Sequence, residues 1–299
     1  MTAIATEAPD GSVFAAFTSQ QGGTPSAPAG TAIYVVDGDG PVQVAEHSPI
    51  PVTALAADAT YLYVGGGKQI VEYARATGSI ARTVTLSLPV RLMATSDGKL
   101  WAILGSLTGS GQVVEITPGS GAVTVGTDTA NVVDVAAGPL GLYYVESGGA
   151  TIVRVNPNGT HLEAATNQTV SQQLSGPSAI QAISVLGSQL FVVHDAGQGL
   201  DSTSQPYDAK TLAGPQNNAP GIAGGNHAVD TLAGPMDLSG PDGSACSGKG
   251  CVGRYNVATG AVTDAVIYPT STHLGLLLGP YPTVILFPSS GHVVLERIG

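Results

Sequence analysis

Residues 52–86 read VTALAADATYLYVGGGKQIVEYARATGSIARTVTL, and this stretch sets the architecture. Four short strands follow one another in it: VTALAAD, YLYVGGG, QIVEYARA and SIARTVTL. The connections DAT, GGGK and ATGS consist of small residues suited to tight reversals. YLYV and QIVEYA alternate in period two, the pattern of a strand with one buried face. Four such strands make one antiparallel sheet, too small to enclose a core by itself. A unit of this kind needs neighbours, and the chain supplies them.

Two columns of turns recur in register with this unit. The first joins strands one and two: APDGSVF, AADATYLY, TSDGKLW, AAGPLGLYY, VLGSQLF, LAGPMDL and LGPYPTVI. The second joins strands three and four: DGDG at 37–40, ATG at 76–78, PGSG at 118–121, PNG at 157–159 and ATG at 258–260. A single turn of either kind marks only a hairpin. Repetition at roughly forty residues is the length of a propeller blade. The expected fold is all-β, a seven-bladed β-propeller of four-stranded antiparallel blades. One domain fills 1–299, with blades near 2–48, 49–87, 88–129, 130–176, 177–225, 226–270 and 271–299. The seventh copy stops after its third strand. Either the segment 2–7 crosses to complete it, or that blade has three strands and an open edge, or the chain is cut from a longer one.

Composition agrees with this reading. Of 299 residues 43% are hydrophobic and only 10% charged, as in a packed protein rather than a disordered one. The 41 glycines and 20 prolines fall at turns, as a fold with many reversals requires. No apolar run is long enough to span a bilayer as a helix. Ten Lys and Arg against 21 Asp and Glu give a net charge of −11, which repels a phosphate backbone and argues against nucleic acid as a partner.

Cys246 and Cys251 lie in SACSGKGCVG, a loop in which a local disulfide closes easily; free thiols or a metal half-site are the alternatives. The first expected strand begins almost at Met1, so no leader is visible. That fits a cytoplasmic protein or a mature segment behind an added Met. A disulfide favours an extracytoplasmic location, secreted, periplasmic or on the cell surface.

Polar residues on this register gather on one face, formed by the loops between blades and the links from second to third strands. His47, His227 and His273 fall between blades, His194 and Asp195 end the second strand of blade five, and His292 follows the corresponding link of blade seven. Glu146 ends the second strand of blade four, while His161 belongs to the opposite face. His194, Asp195, His227, His273 and His292 come from blades five to seven. Imidazoles with a carboxylate suit a divalent ion, with His194, His227, His273 and His292 as the ligands, though no HxH or HExxH spacing sharpens this. Solvated loop histidines are the competing reading. The run from 196 to 226 is long, polar and irregular, and suits hydrogen bonding to a small molecule, a glycan or a protein partner, with Tyr207 as its aromatic anchor. An outer strand covering the blade edge is the equal alternative. DGDG lacks the further acids of a calcium loop, and no nucleophile elbow or phosphate loop is present.

The repeat pattern resembles bacterial propellers of the YVTN, NHL and virginiamycin B lyase type, over almost the whole chain. These families span lyases, lactonases, surface-binding domains and sensor domains, so the resemblance implies fold more than chemistry. GLYYVESGGATIVRV at 141–155 is similar to the lyase blade, an aromatic strand ending in Glu before an xxIxR strand. The resemblance implies catalytic histidines at the start of the first strand in the last blades, beside Mg2+. NHAV and THLG put His227 and His273 there. LFPSSG, around Pro288, stands where that family has a carboxylate. Two expectations follow. The first is a binding or sensor propeller without catalysis and without a cofactor. The alternative is a metal-dependent lyase or hydrolase acting at the His227/His273 face.

Overall fold

The computed structural model describes residues 2–10, 12–18, 29–37, 40–45, 47–106, 109–130, 132, 134–146, 151–156, 161–165, 180–186, 188–194, 203–214, 235–241, 250–256, 262–267, 273–277, 283–287 and 294–297. Every regular element among them is a strand. No helix among them is long and apolar enough to cross a membrane. The chain divides into two compact units, Met1–Asn131 and Val132–Gly299.

The first unit holds three four-stranded antiparallel sheets. Sheet one is β1 (Thr2–Glu7), β2 (Val13–Thr18), β3 (Ile33–Asp37) and β4 (Gly40–Ala45). Sheet two is β5 (Ala54–Ala57), β6 (Tyr61–Gly66), β7 (Gln69–Ala74) and β8 (Ser79–Thr85). Sheet three is β9 (Val90–Ser96), β10 (Lys99–Gly105), β11 (Ser110–Thr117) and β12 (Ala122–Ala130). In each, neighbours in sequence are neighbours in the sheet. The segment Thr2–Glu7 pairs with β2, from Thr2 opposite Thr18 to Glu7 opposite Val13, so it belongs to the first sheet.

In the second unit, sheet four is β13 (Asp134–Gly138), β14 (Gly141–Glu146), β15 (Thr151–Val155) and β16 (His161–Ala165). Three sheets show three strands each among the described residues. They are β17 (Ile180–Leu186), β18 (Gln189–His194) and β19 (Thr203–Asp208); β20 (Pro235–Pro241), β21 (Gly250–Asn256) and β22 (Val262–Ile267); and β23 (His273–Leu277), β24 (Thr283–Phe287) and β25 (Val294–Arg297). In chain order the described strands of the seven sheets fall within 2–45, 54–85, 90–130, 134–165, 180–208, 235–267 and 273–297. The run after His194 is not irregular throughout, because β19 forms within it.

Alternation in YLYV and QIVEYA suggested strands with one wet face, and the structure differs. In β6 and β7 both faces are buried. Leu55, Leu62, Val64, Val71 and Tyr73 pack with Phe14, Ala16 and Ile33 of sheet one. Ala54, Ala56, Tyr63 and Ile70 pack with Met93, Leu100, Ala102, Val114 and Ile116 of sheet three. Period two therefore sorts side chains between two neighbouring sheets, not between core and water. The second unit repeats this: Tyr143, Val145 and Ile152 of sheet four pack with Ile183, Leu190, Val192 and Tyr207 of sheet five.

Candidate functional site

In an antiparallel sheet the start of the first strand and the end of the second lie opposite each other, which defines one end of every sheet. His273 begins β23 opposite Phe287, and His194 ends β18 opposite Ile180. Asp134 begins β13 opposite Val145, and Glu146, half-buried, follows Val145 at the end of β14. His194, His273 and Glu146 thus lie at corresponding ends of their sheets, whereas Tyr207, opposite Leu190, lies toward the other end, and Cys251 stands opposite Gly240 near the end of β20. His227, His292, Asp195 and Cys246 lie outside the described residues, and Cys251 is placed in β21 by its backbone.

At this end described polar side chains bond to the backbone of their own or the next sheet. In the first unit Thr53, just before β5, donates its hydroxyl to the Val90 carbonyl of sheet three at 2.9 Å and to the Gly65 carbonyl at 3.2 Å. The Thr53 N–H adds a bond to the same Gly65 carbonyl at 2.7 Å. Arg91 turns its Nε to the Gly105 carbonyl at 2.8 Å. Close approach requires glycine here: a Cβ on Gly66 would lie 1.5 Å from the Pro51 carbonyl oxygen. His47, in the link between sheets one and two, is exposed and pairs Nδ1 with the Gly30 carbonyl at 2.9 Å.

In the second unit a link between sheets comes from Asp134, the first residue of β13. Its Oδ2 accepts the Ile183 N–H of β17 at 2.9 Å, tying sheet four to sheet five. Burial pushes its carboxyl up to about 6, against the lowering effect of the Ile183 and Val135 N–H groups. Sequence reasoning passed over Asp134. The signal was its column: Asp134 in NVVDVAA begins a first strand as His273 does in THLG.

The opposite end of the first unit carries a denser polar cluster. Asp58 accepts the Thr60 and Tyr61 N–H groups at 2.6 and 2.7 Å through Oδ1, and the Tyr63 hydroxyl at 2.5 Å through Oδ2. Burial, then the bond to Asp58, raises the Tyr63 hydroxyl well above its usual range. Arg75 bonds the Asp58 carbonyl at 2.7 Å, pairs with Asp10 at 2.6 Å and lies over the Phe14 ring. These bonds tie the β5–β6 turn to the end of β7 and to Asp10 of sheet one, while the buried Arg75 Nε makes no hydrogen bond among the described residues.

Tyr207 was expected to anchor a recognition loop. The structure puts it in β19 with its ring 2% exposed, in the core between sheets four and five. The residues after it form a tight turn: Asp208 Oδ1 accepts the Lys210 and Thr211 N–H groups and the Thr211 hydroxyl, and Leu212 adopts φ 58°. The sequence YDAKTLAG at 207–214 thereby repeats the role of YARATGS at 73–79, the turn leading out of a third strand.

Neither a family model nor a curated protein matches the chain. Solved structures do match in fold. The β-propeller domain of Cps50 (Swd1) from Myceliophteria thermophila aligns over 99% of this chain and 96% of its own, at TM-score 0.64 and 10% identity. A chain of a mitotic checkpoint complex aligns over 99% of this chain and 89% of its own, at TM-score 0.64 and 13% identity. BamB from Moraxella catarrhalis aligns over 96% of this chain and 91% of its own, at TM-score 0.52 and 16% identity. The chain is an all-β protein with the β-propeller fold.

Proposed function

We propose that this chain is a non-catalytic interaction propeller of seven blades, one for each sheet, in the YVTN, NHL and virginiamycin B lyase-like group. On this reading it binds a protein, glycan or small-molecule ligand at the end of the sheets where first strands begin. The observation that carries the reading is how the described polar groups there are used. Thr53, Arg91 and Asp134 each bond to backbone of their own or the next sheet, which builds a stiff platform and leaves recognition to the loops above it. Propellers of similar fold found in a mitotic checkpoint complex and in BamB lend support. An extracytoplasmic location with a Cys246–Cys251 disulfide belongs to the same proposal. Mass spectrometry after alkylation without reductant tests that part, and two alkylated thiols would remove it.

The competing reading is a metal-dependent lyase or hydrolase at the His227/His273 face. Elemental analysis of the purified protein, beside a His227→Ala/His273→Ala double variant, separates the two. The binding reading expects no stoichiometric divalent ion in either sample. A near-stoichiometric ion that disappears in the double variant would establish the enzyme reading in its place.

A further inference from the structure

Charge in the first unit is sorted between the two ends of its sheets. Asp10, Asp58 and Asp97 stand in the turns from first to second strands, and Glu7 and Asp37 end β1 and β3 toward the same side. Glu115 pairs with Lys99, the first residue of β10, and Glu72 is buried in mid-strand. The end where first strands begin carries Lys68 and Arg91, and neither forms an ion pair among the described residues. Asp128 is the described acid placed toward this end, on β12, the outermost strand of its sheet. Three strand spacings, about 14 Å, separate that strand from β9, where Arg91 stands.

Lys68 and Arg91 belong to neighbouring sheets, and the link between those sheets brings them together. That link, residues 86–89, crosses the β6–β7 turn. The Leu86 N–H donates to the Lys68 carbonyl at 2.9 Å and the Val90 N–H to the Gly67 carbonyl at 2.7 Å. Lys68 is exposed, and Leu88, within the link, keeps 37% of its surface open to solvent. Arg91 is the extra residue of a bulge, because Leu92 pairs with Ile103 and Val90 then pairs with Leu104. A bulge re-aims the side chain it carries. Here it brings Arg91 to the end of β10, where Nε donates to the Gly105 carbonyl at 2.8 Å. Leu88 stands against the same glycine, its Cδ1 3.6 Å from where a Cβ on Gly105 would lie. Only Nε of the half-buried Arg91 is engaged, so its two Nη groups keep their donors without a partner among the described residues.

We propose that this corner of the first unit, formed by Lys68, Leu88 and Arg91, takes an acidic segment of a partner protein. The Nη groups of Arg91 bind one side-chain carboxylate through parallel bonds, Lys68 attracts a second, and Leu88 packs against an apolar residue between them. Unpaired positive charge at this end, set apart from the acids of the other, points to a carboxylate-bearing partner. Held through Nε, the guanidinium is already oriented, so little rotamer freedom is lost on binding. The proposal rests on the reading of this end as the binding face, and it names the chemistry of what binds there.

The test titrates the full chain against short fluorescent peptides followed by anisotropy. One peptide alternates leucine with glutamate, and the other alternates leucine with glutamine. Saturable binding is expected for the glutamate peptide alone, weakening as salt is added. Arg91→Met should weaken it about tenfold or more, and Lys68→Glu, at an exposed side chain, about threefold or more. Circular dichroism of both variants checks that lost binding is not lost fold. No binding of the glutamate peptide, equal binding of the glutamine peptide, or indifference to either variant would overturn the proposal and leave the binding-propeller reading standing. A stoichiometric metal lost from the His227→Ala/His273→Ala variant would remove that reading instead, whatever the peptides do.

Discussion

Arg154 reaches from the third strand of sheet four to the Ala209 carbonyl in the turn of sheet five, its Nη1 3.0 Å from the oxygen. The Tyr143 hydroxyl donates to the same oxygen at 2.9 Å, and Arg154 also donates to the Lys210 carbonyl. Tyr143 and Arg154 face each other across β14 and β15. In the first unit the equivalent pair is used differently, because the Tyr63 hydroxyl bonds to Asp58 in the β5–β6 turn of its own sheet. Tyr63 and Glu72 face each other across β6 and β7, and Glu72 lies toward Gly119 in the turn of sheet three. One position, the middle of the third strand, thus meets the next sheet's turn with a donor in one unit and an acceptor in the other.

Replacing Arg154 with Met removes charged donors but leaves the Ala209 carbonyl its bond from Tyr143. The expected loss of stability is roughly 1.5–3 kcal/mol, and Tyr143→Phe should cost about 1 kcal/mol. Urea unfolding of the two variants checks this. Equal and negligible losses would show that the turn is held by packing alone.

Glu72 is buried, and neither carboxyl oxygen makes a hydrogen bond of normal geometry among the described residues. Burial raises its carboxyl above the usual range; the Gly119 N–H and the Arg82 guanidinium offset part of this, and the Asp58 charge adds to it. The folded protein therefore binds this proton more tightly than the unfolded chain does. Stability from this group is complete below the ordinary carboxylate range and is lost as pH rises through the raised value. Glu72→Gln should be more stable than wild type at neutral pH and show a flatter pH profile. A variant less stable than wild type at neutral pH would mean the ionised carboxylate is stabilising.

Asp134 titrates by the same logic within a defined window. Its carboxyl rises from 3.8 to about 6, so its contribution is full below the lower figure and fades as pH climbs toward the upper one. Asp134→Asn keeps an oxygen for the Ile183 N–H and removes the charge. Thermal melts between acid and neutral pH should show the variant's advantage growing across that window. A constant difference at every pH would refute the assignment.

Two adjacent glycines separate close approach from backbone strain. Gly66→Ala drives a methyl into the Pro51 carbonyl and should cost at least about 3 kcal/mol. Gly67, at φ 52°, has open space around it, and its change to Ala should cost about 1 kcal/mol. Similar losses at the two positions would contradict the close passage of the 50–52 link over β6.

The strands and turns of residues 52–86 were written locally. Residues 52–86 break into β5 to β8 close to where the reading placed them, because alternation and small-residue turns act over a few neighbouring residues. The sequence did not show which face of each strand would meet which neighbour. Leu62 and Tyr63 are both apolar and adjacent, yet one packs on sheet one and the other on sheet three. Nor did it show that Tyr207 would be core, that Asp134 would bridge to Ile183, or that Arg154 would hold the Ala209 carbonyl. Each of these depends on residues about fifty positions or more apart, on consecutive sheets, arriving in register. Only tertiary packing sets that register, since it must satisfy buried side chains on both faces at once.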